Sequence, residues 1–294
     1  MNYSAHDRTI STSLPVRIAA IFMAMILTVI CFSDGITADA ASVPAAPVLI
    51  GEYKYDTGYT HPYNAQTNQL ILHWKPVKGA TAYHVYIRGG NGKYPKYKRI
   101  GATTKTDYRV KGLSRATSYR FVVRAQNSAG LSGLSNSQLL KTARFNFDQE
   151  DWEALCRITY HEVGGIEGSF WDKPIVYVAD CCVNQITVAK FTYNPIWTPY
   201  YARYSKLSQI IYNSGGFMSS AGLARDGATY SRVPQRVKTA CYGACYAKTE
   251  LNGIANDFNI FFWCNRSYYT SSSKIGYSFK IPWGYFYIWR QYWG

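Results

Sequence analysis

The chain has 294 residues, 32 Lys and Arg against 17 Asp and Glu, and a formal net charge of +15. That length leaves room for two domains after a leader. The basic excess is uneven: residues 43–142 carry 15 Lys and Arg against 3 Asp and Glu, residues 143–294 carry 15 against 11. A basic first half predicts an anionic surface as its neighbour.

Residues 1–41 read as a secretory signal peptide. Arg8 and Arg17 precede an apolar run at 18–32, and small residues follow at Ala38-Asp39-Ala40. The run is shorter than the roughly 20 residues a membrane span needs. The expected location is therefore secreted, outside the cytoplasm. Export favours wall polymers or lipid headgroups over nucleic acid as the anionic neighbour. Six cysteines follow the leader: Cys156, Cys181, Cys182, Cys241, Cys245 and Cys264. An even number in an exported domain predicts disulfides, with pairing open and free buried thiols or zinc as alternatives. The metal signal is weak, because that half contains one histidine, His161, and no CxxC pair.

After a Pro/Ala linker, the stretch to Lys141 reads as short strands with turn signals. Leu70-Ile71-Leu72-His73-Trp74 and Tyr83-His84-Val85-Tyr86-Ile87 alternate, Gly89 to Gly92 turns the chain, and Tyr119 to Ala125 is a further strand. Several strands in about 100 residues without helical periodicity predict a β-sandwich. Trp74, the Tyr83-His84-Val85-Tyr86 run, Leu113, Tyr119 and Val123-Arg124-Ala125-Gln126-Asn127 together resemble a fibronectin type III domain over 43–142. The resemblance implies that Trp74 anchors the core and that Tyr119 makes a corner hydrogen bond. The basic charge of this stretch suggests a surface for anionic wall polymers, with a basic fibronectin-type adhesin as one alternative function.

The second half opens on a helix predicted from Asp148 to Glu162. Asp148 is a candidate cap, Trp152, Leu155, Cys156, Thr159 and Tyr160 share a face, and Gly164-Gly165 are expected to stop the helix in the left-handed conformation. Glu162 then sits on a rigid helix end facing a cleft, a good position for a proton donor. A second helix is predicted from Asp172-Lys173-Pro174, a third over 205–212, and a fourth capped by Ser231 and running towards Asn252-Gly253. An aromatic strand over 259–265 and an aromatic tail follow.

Tyr160-His161-Glu162, then Asn184, Gly215-Gly216-Phe217 and Phe261-Phe262-Trp263-Cys264-Asn265 resemble, in order and spacing, the SleB-type cell wall hydrolases, a family related to spore-cortex-lytic enzymes. Departures are Asp172-Lys173-Pro174 at the start of the second helix, Gln185 after Asn184, and a Glu167 displaced by one residue. The resemblance implies a mainly helical α+β lysozyme-like domain over 148–294. Such a domain would cleave peptidoglycan glycan strands as a lytic transglycosylase, with Glu162 catalytic and Tyr160, Asn184, Phe217, Trp263 and Asn265 binding substrate. The expectation includes no cofactor, no metal and a monomer. A hydrolytic muramidase would need a second carboxylate, with Glu167 and Asp172 as candidates. An inactive wall-binding scaffold is the remaining alternative. His161 beside Glu162 suggests HExxH zinc chemistry, but Gly165 occupies the second histidine position.

Overall fold

The computed structural model describes residues 42–50, 66–213, 217–249, 251–264, 275–281 and 284–290. The leader, Asn265, Gly215 and Gly216 lie outside them. No helix among the described residues is long and apolar enough to cross a membrane. Residues Pro44–Gly294 belong to one compact unit, which holds two hydrophobic cores.

The first core lies in a β-sandwich. Strands β1 (Gln69–His73), β2 (Ala82–Gly89), β3 (Tyr94–Thr103), β4 (Asp107–Lys111), β5 (Ser118–Asn127), β6 (Gly130–Leu131) and β7 (Gln138–Lys141) follow one another along the chain. β1 pairs β4, while β3, β2, β5 and β6 run side by side with β7 also on β5. The register sets Tyr83, Val85 and Ile87 opposite Ala125, Val123 and Phe121. All six are buried, because a two-residue period turns alternate side chains inwards. Trp74 packs at 5.3 Å from Tyr83, and the Ser114 N–H donates to Tyr119 Oη at 2.8 Å. That bond is the corner expected of Tyr119.

The second core takes its residues from Ala143 onwards. Helix α1 (Gln149–Thr159) starts as predicted: Asp148 Oδ1 accepts from the Asp151 N–H at 3.1 Å, and Asp151 Oδ2 accepts from the Asp148 N–H at 3.4 Å. Helix α2 (Asp172–Lys190) is buried at every residue from Pro174 to Val188. It is therefore the central helix, covered on all sides rather than on one face. Short helices α3 (Trp197–Tyr201), α4 (Leu207–Tyr212) and α5 (Ser220–Arg225) lead to α6 (Gln235–Tyr246). Strands β8 (Phe262–Cys264), β9 (Ile275–Ile281) and β10 (Gly284–Trp289) form a sheet in the order β8-β10-β9.

Three local expectations are corrected. Ser231 lies in a 3-10 turn, Tyr230–Arg232, and caps nothing; Pro234 occupies the cap position of α6. That helix stops at Tyr246, where Ala247 takes the left-handed conformation at φ 53°, well before Asn252-Gly253. The expected disulfides are absent among the described cysteines: Cys156, Cys181, Cys182, Cys241 and Cys245 are free and buried. Burial pushes the Cys156, Cys181, Cys182 and Cys245 thiols up, which keeps them protonated and inert. A core this extensive has no need of staples.

Candidate functional site

Glu162 is delivered by α1, but not at the end of a regular helix. The chain widens into a π-turn, Tyr160–Gly164, directly after Thr159. Such turns carry one extra residue and re-aim the side chains they hold. Gly165 has φ −80° and ψ −4°, and Gly164 is not among the residues with positive φ. The double glycine is thus not a left-handed stop. Gly164 is required by proximity: a Cβ there would stand 2.5 Å from Val237 Cγ2 on α6.

The Glu162 side chain is 28% exposed. Its Oε2 accepts from Trp263 Nε1 at 2.9 Å, across 101 residues of sequence. Phe217 stacks on Trp263 with ring centroids 4.3 Å apart and an angle of 17°. On the other side, His161 Nδ1 lies 3.4 Å from Glu162 Oε1, and His161 Nε2 lies 3.3 Å from Asp226 Oδ2. A neutral imidazole donates to one of these carboxylates; a protonated one donates to both. The hydrogen bond to Glu162 accordingly raises the His161 pKa, against the opposing effect of burial, with Asp226 adding to the rise. Cys182 lies close enough for Glu162 to add to the upward push on its thiol.

Of the residues read from the sequence, Glu162, Phe217 and Trp263 come together. Tyr160 is half-buried against the core, its ring near Gly164 and Gly165. Asn184 is 1% exposed, and its amide is already engaged. Its Oδ1 accepts from Arg144 Nη2 at 2.6 Å, and its Nδ2 donates to the carbonyls of Asp257 and Ile260 at 2.9 and 2.6 Å. Among the described residues no hydrogen bond joins Asn184 to Glu162; the side chain ties α2 to the segment before β8. Of the two candidate second carboxylates, Glu167 is exposed. Asp172 is buried and paired with Arg236 Nη2 at 2.8 Å, and it also accepts from Asn252 Nδ2.

Asp226 was missed. It sits just past α5, and only the folded chain brings it to His161, 65 residues earlier. His161 reads in the sequence as half of an incomplete zinc motif, and nothing marks it as a bridge. The loop carrying Asp226 is fastened by Arg157, which donates to the carbonyls of Ala228 and Ser220 at 2.8 and 2.7 Å and to Ser220 Oγ at 2.9 Å. Among the described residues no group of three or more His, Cys, Asp or Glu could hold a metal ion. The site offers a carboxylate, an imidazole between two carboxylates and an aromatic wall, which together suit proton transfer to a bound polar molecule.

The family of fibronectin type III domains matches residues 60–138. No curated protein matches the chain. Among solved structures, FN3tt is 29% identical over 34% of this chain and 95% of its own length, with a TM-score of 0.26. A multidomain segment of titin is 28% identical over 35% of this chain and 33% of its own, with a TM-score of 0.28. A Fn3-like protein from Clostridium thermocellum is 22% identical over 35% and 93%, with a TM-score of 0.25. With the strand order and the Tyr119 corner already described, the family match identifies residues 60–138 as a fibronectin type III domain, followed in the same chain by a helical region.

Proposed function

We propose that this protein is a secreted, cell-wall enzyme that cleaves peptidoglycan glycan strands between N-acetylmuramic acid and N-acetylglucosamine, with Glu162 as the acid. The observation that supports this reading is the setting of Glu162: partly exposed, bonded to Trp263 Nε1 at 2.9 Å, beside a ring stacked on that indole. Trp263 is buried in the core and Phe217, half-buried over it, is the ring that can receive the apolar face of a sugar; a carboxyl held on a rigid element can reach its bridging oxygen. In the transglycosylase reaction Glu162 gives its proton to the glycosidic oxygen as the bond to muramic C1 breaks. The muramic C6 hydroxyl then adds to C1 and returns its proton to Glu162. A 1,6-anhydro bond replaces the glycosidic bond, and no water is consumed.

Asp226 favours a second reading, hydrolysis. This residue is a second carboxylate beside the site, 3.3 Å from His161 Nε2 on the far side of the ring from Glu162, and an inverting glycosidase needs a second carboxylate to activate water. In that reaction Asp226 would take a proton from water as its oxygen adds to C1.

Mass spectrometry of digested peptidoglycan tests both. Anhydromuramic ends are expected from the first reaction and reducing muramic ends from the second. In either case Glu162→Gln is expected to slow release by at least about a hundredfold while the protein stays folded by circular dichroism. A folded protein that pellets with walls and releases nothing would replace this reading with that of a wall-binding scaffold.

A further inference from the structure

A cavity of about 580 Å³ opens where the sandwich meets the helical region, and none of the residues around Glu162 lines it. Arg115 and Lys141 reach it from the sandwich, and Arg144 from the segment between the two cores. Among the described residues its lining includes no carboxylate. Arg115 Nη1 donates to the Arg144 carbonyl at 3.2 Å, and its guanidinium lies 4.8 Å from the Phe191 ring centroid. Lys141 Nζ donates to the Ala247 carbonyl at 2.6 Å. These partners fix both cations in place without neutralising them, and each keeps donors to spare.

Arg144 has a carboxylate neighbour, Asp180, at 3.9 Å. Burial pushes the Asp180 carboxyl up to about 7, so near neutrality it is only partly charged. Lys141 is pushed down by burial and by Lys248 and Arg144, and Arg115 is pushed down by burial. The cluster therefore holds positive charge at a cost that an anion would relieve. Thr187, Asn194 and Asn259 add hydroxyl and amide groups to the wall.

We propose that this cavity is a binding site for a phosphoryl group, carried on a small polar ligand. Two features select phosphoryl over a single carboxylate. Arg115 and Lys141 together supply two positive charges that no described lining residue offsets, and a phosphate near neutral pH carries about −1.5 to −2. A guanidinium and an ammonium lining one cavity also suit an anion with three acceptor oxygens. The volume accommodates a phosphate together with a small organic body.

The test is isothermal titration of the full chain with inorganic phosphate at pH 7.5, against acetate at equal ionic strength. Saturable one-to-one phosphate binding is expected, with acetate at least about tenfold weaker. Arg115→Gln and Lys141→Gln are each expected to weaken phosphate binding about tenfold or more, while Lys96→Gln, on exposed β3, leaves it unchanged. Arg115→Lys keeps the charge and the fold, and an intermediate loss is expected of it. The wild-type midpoint should also rise with phosphate and not with chloride. Phosphate bound no better than acetate, binding retained in both glutamine variants, or equal loss in Lys96→Gln would each overturn the proposal.

Discussion

The imidazole of His161 stands between Glu162 and Asp226, and its charge ties the two sides of the site together. Its pKa is raised, first by the bond to Glu162. A histidine with a folded pKa above its unfolded value of about 6.5 stabilises the fold fully below that value, and the contribution disappears as pH rises through the folded pKa. Wild type should thus be more stable than His161→Gln at pH 6, with the gap narrowing by pH 9. Urea unfolding at the two pH values measures this. A gap that does not change with pH would mean that the ring acts by shape alone.

At the scale of the element, the end of α1 is governed by how closely it approaches α6. Gly164→Ala puts a methyl group 2.5 Å from Val237 Cγ2. A loss of about 1–3 kcal/mol is expected, read from denaturant midpoints, because a packed helix contact must open to admit it. Ala247 presents the opposite case. It ends α6 at φ 53°, in a conformation that costs a residue with a Cβ about 1–2 kcal/mol. Ala247→Gly is expected to stabilise the protein by about 1 kcal/mol, since the Lys141 bond goes to its backbone carbonyl and survives. A thermal midpoint that falls would refute that account. Much of this second half was nevertheless legible. Asp148 reads as a cap, the start of α2 is marked at Asp172-Lys173-Pro174, and the apolar face of α1 is evident from its spacing. The π-turn was not, because no residue in Tyr160–Gly164 encodes it locally.

At the scale of the molecule, the two cores are joined by a short segment that is itself buried. Ala143, Arg144, Phe145 and Phe147 are all inside. Asn146 accepts from Thr67, and the Phe147 carbonyl accepts from Gln66. Arg144 donates to Asn184 and to the Ala244 carbonyl. Burial is the largest influence on both members of the Arg144–Asp180 pair, lowering the arginine to about 10 and raising the aspartate to about 7. Their attraction at 3.9 Å does not repay the loss of water on either side. Arg144→Met alone is expected to destabilise, by less than the about 3–5 kcal/mol of a fully ionised buried pair, because Asp180 can take up a proton while Asn184 Oδ1 still loses its donor. Adding Asp180→Asn should recover a large part of that loss. A double-mutant cycle in urea checks it, and additive losses would contradict it.

The sequence by itself determined the order of things. The two-residue alternation around Val85 and Val123 specifies a sandwich, and Trp74 with Tyr119 identifies its kind. The helical periodicity of α1 and α2 needs only neighbours three and four residues apart. Glu162, Phe217 and Trp263 could be listed from the sequence, but their meeting depends on a bond spanning 101 residues. Asp226 beside His161, the engagement of Asn184 with Arg144, and the convergence of Arg115 and Lys141 on one cavity were decided only by the tertiary structure. The physical reason is common to all three: the charge and hydrogen-bond partner of a side chain are set by groups distant along the chain, whereas its periodicity is local.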